Sequence, residues 1–210
     1  NGVLFHNEID LLFAPQLFNG NYNIPEGTTS IQDNAFSGCT YLLSVTIPSS
    51  VTQIGDSAFK DSGLKSITIP NGVYVIKDNA FSDCRNLQDI RLPDELYFIG
   101  SNVFNNCSEL RTVILPNGLK SIPRYLFDSC KNLVSISIPQ SVAQIDSSAF
   151  NGCKRLRSVN VSKDNEYFVS LDGVLFNAFL ELRCVPQALL EGVYRIPDGT
   201  KSIVKEAFKE

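Results

Sequence analysis

The feature that most constrains this chain is a period. Proline recurs at 25, 48, 70, 93, 116 and 139, in steps of 23, 22, 23, 23 and 23 residues. Phenylalanine keeps the same steps at 36, 59, 81, 104, 127 and 150. Two residue types locked to one spacing mark a tandem array, and a period in this range means stacked structural repeats. The unit reads L-x-x-[IV]-x-[IVL]-P-x-x-[VL]-x-x-I-x-x-x-A-F-x-x-C-x-x, as in Leu42 to Pro48, Leu87 to Pro93 and Leu133 to Pro139.

Each part of the unit has a physical reading. The last apolar residues of L-x-x-I-x-I alternate with period two, as in a strand buried on one face. Proline ends that strand because it has no N–H to donate. Ser49-Ser50, Asn71-Gly72 and Asn117-Gly118 then reverse the chain. A second short extended piece follows, such as Val51 to Ile54, and Ala-Phe sits in a polar stretch that reads as a helical or 3₁₀ turn. One unit cannot bury its own apolar face, whereas stacked units share a continuous core. Each large apolar side chain contributes roughly 1.5–3 kcal/mol when fully buried. The expected fold is a repeat solenoid, mainly β, of stacked parallel short strands.

Composition agrees with a globular chain: 43% of the 210 residues are hydrophobic and 19% charged. The net charge of −4 argues against a nucleic-acid partner, which calls for a basic face. No apolar run approaches the roughly 20 residues that span a bilayer. The chain starts at Asn1 with neither Met nor a signal peptide and reads as a piece of something longer.

The period and the L-x-x-[IV]-x-[IVL] core resemble leucine-rich repeats of the α/β type. The added Ile-Pro, the Ala-Phe and the Cys three residues after Phe resemble the BspA-like subclass. One departure from leucine-rich repeats at large is clear. The usual Asn three residues after the last strand apolar is absent, and Ser50, Gly72, Glu95, Gly118 and Ser141 stand there. The resemblance implies a surface protein of a host-associated bacterium that behaves as an adhesin, at the cell surface or secreted.

A longer repeat also runs through the chain. Asn1-Gly-Val-Leu-Phe5 matches Asp172-Gly-Val-Leu-Phe176 at a shift of 171, as does Pro15-Gln16 with Pro186-Gln187. Ile24-Pro25 and Ala35-Phe36 match Ile196-Pro197 and Ala207-Phe208 at a shift of 172. Asp172-Gly173 is a two-residue hairpin signal. Val174 to Phe176 and Leu180 to Val185 are the expected next strands of a small β-meander that interrupts or caps the array. The chain thus reads as one solenoid domain over 1–210. Within it, a meander module spans 1–23, regular repeats 24–161, a second meander 162–195, and the array restarts over 196–210. The end just after Ala-Phe implies further repeats in a parent protein or an incomplete last rung.

Cys39, Cys84, Cys107, Cys130 and Cys153 each fall three residues after the repeat Phe, and Ser62 takes that place in the second rung. A column that accepts Cys or Ser wants a small, weakly polar side chain, so free buried thiols are expected in place of disulfides. Zinc is not expected, since no C-x-x-C occurs and His6 is the only histidine. Neither catalysis nor a cofactor is expected, and no G-x-S-x-G, H-E-x-x-H or P-loop occurs. His6 lies beside an expected turn at Asn7-Glu8 and has no partnered nucleophile. Asp94-Glu95, and Asp164 with Glu166, read as solvated turn charges. Lys163-Asp-Asn-Glu166 lacks the alternating oxygen ligands of a calcium loop. Asn106-Cys-Ser108 and Asn160-Val-Ser162 match the glycosylation sequon but fall at a buried column and on a strand.

What remains is surface for a partner. The outward strand positions form two columns, Ser44, Ser66, Asp89, Thr112, Ser135, Ser158 and Thr46, Thr68, Arg91, Ile114, Ser137, Asn160. Small hydroxyl residues suit exposed strands, and Asp89, Arg91 and Ile114 break the pattern. After the prolines, Tyr74-Val75 and Tyr97-Phe98 stand where other rungs are mostly polar. They form an aromatic patch if nothing covers them. The expected function is a non-catalytic module that binds a protein or glycan, host extracellular matrix included. A spacer projecting another domain, or the non-catalytic part of a larger enzyme, are the alternatives.

Overall fold

A computed structural model describes residues 3–6, 10–190 and 193–208. The turn expected at Asn7-Glu8 lies outside the described residues. The repeats coil into a solenoid with two parallel ladders along it. The front ladder pairs Gly20–Asn23 with Leu42–Thr46, then Ser66–Thr68 with Asp89–Arg91 and Thr112–Val113, then Ser135–Ile138 with Ser158–Val161. The second ladder runs from Asp10–Phe13 through Ser30–Ile31, Gln53–Ile54 and Val75–Ile76 to Phe98–Ile99, and resumes with Ser121–Ile122 beside Gln144–Ile145. The interruption has a local cause. Gly55, Lys77, Gly100 and Asp146 donate their N–H to Ile31, Ile54, Ile76 and Ile122 of the rung before. Pro123 occupies that column and has nothing to donate.

In place of the expected helical or 3₁₀ turn, each Ala-Phe stretch is a chain of β-turns in which alternate amides bond in different directions. In the first rung Ala35, Ser37 and Cys39 donate within the turn to Gln32, Asn34 and Phe36. Asn34, Phe36 and Gly38 donate to Asp56, Ala58 and Lys60 of the next rung. A helix would spend every amide inside itself, whereas this arc spends half of them tying rungs together. The arc uses two left-handed residues in each of the first five rungs and one in the sixth. They form one column of Asn34, Ser57, Asn79, Asn102 and Tyr125, and another of Gly38, Asp61, Asp83, Asn106, Ser129 and Gly152. Asn, Asp and Gly tolerate that conformation best.

The core lies between the arc and the ladders. Phe36, Phe59, Phe81, Phe104, Phe127 and Phe150 stack in one file with ring centroids 5.0–6.0 Å apart and planes within 19° of parallel. Beside it runs the cysteine column, buried and without disulfides. Cys84, Cys107, Cys130 and Cys153 donate their S–H to the carbonyls of Phe59, Phe81, Phe104 and Phe127, at 3.0–3.1 Å. Each thiol therefore adds a second donor to a buried carbonyl of the previous rung, and the hydroxyl that takes the column at Ser62 pairs instead with the Cys84 sulfur at 3.3 Å.

The second rung is one residue short, and Gly63 alone spans the place of Thr40-Tyr41 and Arg85-Asn86. The backbone is drawn in so far that a Cβ on Gly63 would stand 2.1 Å from the Thr40 carbonyl oxygen. We expect Gly63→Ala to cost about 2–3 kcal/mol, since only a shift of backbone relieves the overlap. Urea denaturation checks this, and an unchanged midpoint would mean that the rungs separate there at no cost.

After Val161 the chain leaves the array. Phe168–Leu171, Val174–Asn177 and Glu181–Cys184 form an antiparallel meander, and Glu181–Cys184 then pairs in parallel with Ser202–Ile203. Asp172 and Gly173 both take positive φ, 51° and 81°, as a two-residue hairpin of this type requires. Val174, Leu175 and Phe176 are all buried because the middle strand has a core on each side. Leu175 joins the main core, and Val174 and Phe176 join a second one with Leu182, Val185 and Ala207. Asn165 fastens the meander to the array. Its amide donates to the carbonyls of Pro139 and Val142, and its oxygen accepts from the N–H groups of Tyr167 and Phe168.

The meander repeats the start of the chain in three dimensions. Leu4–His6 pairs antiparallel with Asp10–Phe13, with Leu4 opposite Phe13 and a register slip before Phe5 opposite Leu11. Leu175 opposite Cys184, then Phe176 opposite Leu182, reproduce that register and slip at a shift of 171. The parallel partner follows at 172, Ser30–Ile31 in one copy and Ser202–Ile203 in the other.

Candidate functional site

The strands of the front ladder turn one side chain of each pair inward. Ile67, Ile90 and Val113 are buried while their neighbours Ser66, Thr68, Asp89, Arg91 and Thr112 face solvent. The ladder loosens after Val113, where Ile114 keeps a single bridge to Ser137. A depression of about 450 Å³ opens there, lined by Asp89, Ile90, Arg91, Leu92, Asp94, Thr112 and Ile114. A second of about 390 Å³ adjoins it, sharing Ile114 and continuing past Ser137 to Asn160. The structure thus brings Asp89, Arg91 and Ile114 together. Ile114 is 81% exposed, an isoleucine standing free in a row of serines and threonines. Asp94, which sequence reading placed among inert turn charges, is part of the same wall.

Tyr74, Val75, Tyr97 and Phe98 form a separate group on the second ladder. The tyrosine rings stack at 5.8 Å and 8°. Val75 lies opposite Phe98 in the ladder. Neither the short rung nor the meander covers them, and Tyr74, Tyr97 and Phe98 stay 41%, 58% and 46% exposed.

No reactive constellation emerges among the described residues. Asp10 lies between His6 and Ser30, with its carboxylate 3.9 Å from the imidazole and accepting the Ser30 hydroxyl. The hydroxyl therefore points to the acid and not to a base, so the order that activates a nucleophile is missing. The thiols are equally unsuited to attack. Burial pushes Cys39 and Cys84 up to about 11 and Cys184 to about 12, and raises Cys107, Cys130 and Cys153 well above the ordinary thiol value. No group of three metal-binding side chains converges, and no helix is long and apolar enough to cross a membrane, among the described residues.

Comparison with known families bears on what such a surface is for. The model of the BspA type leucine rich repeat region (6 copies) matches residues 13–76 and 52–171. The chain belongs to that family. A leucine rich repeat protein of T. pallidum superposes on the BspA-type array with 30% identity and a TM-score of 0.63, over 71% of this chain and 72% of that one. A leucine-rich repeat protein from Eubacterium ventriosum shares the fold at 22% identity and a TM-score of 0.66, over 90% of this chain. The pneumococcal vaccine antigen PcpA does so at 24% and 0.60, over 95%. The array spans 50% and 55% of the lengths of those last two proteins. No curated protein matches. The front ladder, with its missing Asn column, is therefore the BspA-type form of a leucine-rich repeat face, and its variable outward positions distinguish one rung from the next.

Proposed function

We propose that this chain is a non-catalytic binding module of a bacterial cell-surface or secreted protein, and that it engages a protein through the front ladder. The observation that carries this reading is the depression around Ile114. It joins one exposed apolar side chain to an acid and a base, Asp89 and Arg91, on a face that is otherwise small and hydroxyl-bearing. Interface centres combine apolar anchors with a few oriented charges. The aromatic group at Tyr74, Val75, Tyr97 and Phe98 is a second candidate contact for the same partner or another. A spacer role is favoured by the evenness of the remaining face, where Ser66, Thr68 and Ser137 offer little to grip.

The test is binding of the folded chain to an array of extracellular-matrix proteins. Asp89→Ala/Arg91→Ala is expected to weaken a positive signal about tenfold or more, with an unchanged circular dichroism spectrum. Tyr97→Ala/Phe98→Ala is likewise expected to leave the fold intact, and collapse on denaturation would show that those rings hold the array together instead. A well-folded chain that binds nothing on the array would leave the spacer reading in place.

A further inference from the structure

The cations of this acidic chain are not spread evenly. Lys65, Arg85, Arg111, Lys131, Lys154, Arg155 and Arg157 all lie along one edge, between the cysteine column and the front ladder, and all are exposed. Hydrogen bonds fix the alignment of Lys65, Arg111 and Arg157. Gln88 donates to Lys65, Arg111 to Gln88, Val134 to Arg111 and Arg157 to Val134, so these residues form one file up the solenoid. Arg85 is paired with Asp83 at 3.5 Å. Arg111, Lys131, Lys154, Arg155 and Arg157 form no ion pair among the described residues.

The edge ends in a built cleft. The 3₁₀ turn Gln187–Leu189 folds back onto the last regular rung, and the Ala188 N–H donates to the Leu156 carbonyl at 3.0 Å. Between turn and rung lies a hollow of about 760 Å³, lined by Val134, Lys154, Arg155, Arg157, Ala188 and Leu189. Its lining joins three aliphatic side chains to three cations, with no carboxylate among the described lining residues. The cations of neighbouring rungs, Lys131 and Arg111, extend it along the axis in steps of about 4.8 Å.

We propose that this cleft is a binding site for a sulfated polysaccharide, distinct from the protein-binding face. Regularly spaced sulfates would meet one to three cations per rung, and the aliphatic lining side chains would lie against the C–H face of a sugar ring. An extended acidic peptide is disfavoured, because peptides dock on such surfaces by adding to a free strand edge. Here the N–H groups of Val134 and Arg157 are already spent within the file. A nucleic-acid duplex needs a footprint of about 1,000 Å² or more of basic surface, far beyond three rungs of a chain with net charge −4.

The experiment is binding of the whole chain to a size-defined heparin oligosaccharide at low and moderate salt. Lys154→Glu/Arg157→Glu is expected to weaken binding about tenfold or more. Lys120→Glu/Lys163→Glu, the same change in net charge at exposed positions outside the cleft, is expected to change it little. Asp89→Ala/Arg91→Ala should leave it unaffected, so failure here and failure of the front-ladder reading are separable. Desulfated heparin should not bind. The proposal is overturned if heparin does not bind, if both charge-reversal pairs weaken it equally, or if poly-glutamate competes as well as heparin.

Discussion

Phe81→Ala should be the most damaging single truncation in the array, costing about 3–5 kcal/mol. Phe81 is fully buried and stacked on both faces, 5.2 Å from Phe59 and 6.0 Å from Phe104. Removing it opens a void that the neighbours cannot fill, because their own rings are held by the next rungs. The loss does not stay local. In a solenoid each rung is stable largely through its interfaces, so cutting the middle of the file weakens the coupling between the two halves. Urea denaturation would show the lowered midpoint. Hydrogen exchange would show faster opening of the amides that Phe81 and Asp83 donate to Val103 and Asn105. A variant that unfolds with the wild-type midpoint would mean that the ladders, not the aromatic file, hold the rungs.

Alkali is expected to unfold the chain over a narrow interval. A thiol ordinarily titrates near 9, and burial holds Cys84 at about 11 and Cys107 and Cys130 well above the ordinary value. Below pH 9 both folded and unfolded chains keep these protons, and the full stability is present. Above it the unfolded chain releases them and the folded one does not, so the equilibrium moves toward the unfolded state until the pH passes the folded values. Each such thiol costs about 1.4 kcal/mol per pH unit in that window. Several acting together rival the whole stability of a domain, about 5–15 kcal/mol. The urea midpoint should therefore fall steeply from pH 9 to 11, and less steeply in Cys107→Ser/Cys130→Ser, whose hydroxyls do not titrate. A flat profile would show that the thiols are solvated. In the denatured, unreduced protein all six cysteines should react with a thiol reagent.

What could be read in the sequence was whatever repeats. The strand positions, the phenylalanine file and the cysteine column each recur six or nearly six times, and a column seen that often has one structural explanation. The Asp172-Gly173 hairpin was readable because its chemistry is local. From sequence the Ala-Phe arc reads as helical or 3₁₀ because a single rung looks like a short polar turn, and the partners of Asn34, Phe36 and Gly38 lie in the next rung. A signal was there nonetheless, in the recurrence of Asn, Asp, Ser and Gly at the two left-handed columns. The depression at Asp89, Arg91 and Ile114 was approachable because its residues share columns. The cleft at Lys154 and Arg157 was not, since it depends on residues 187–189 folding back onto a rung some thirty positions earlier.

The alternating amides of the arc also make this molecule a spring. Three lines of hydrogen bonds run along its axis, one in each ladder and one in the arc, so a pull from end to end loads them in tension together. A junction with all three shares the load, and a junction missing one gives first. Three are weakened, one of them between Thr112–Val113 and Ser135–Ile138, where the front line is reduced to the Ile114–Ser137 bridge, and two lack a line altogether. One lies between Leu42–Thr46 and Ser66–Thr68, where the front ladder has no pairing, and the other between Phe98–Ile99 and Ser121–Ile122, where Pro123 breaks the second. Under an end-to-end pull the array is expected to part there first, where only the arc, one ladder and the phenylalanine file still cross the junction.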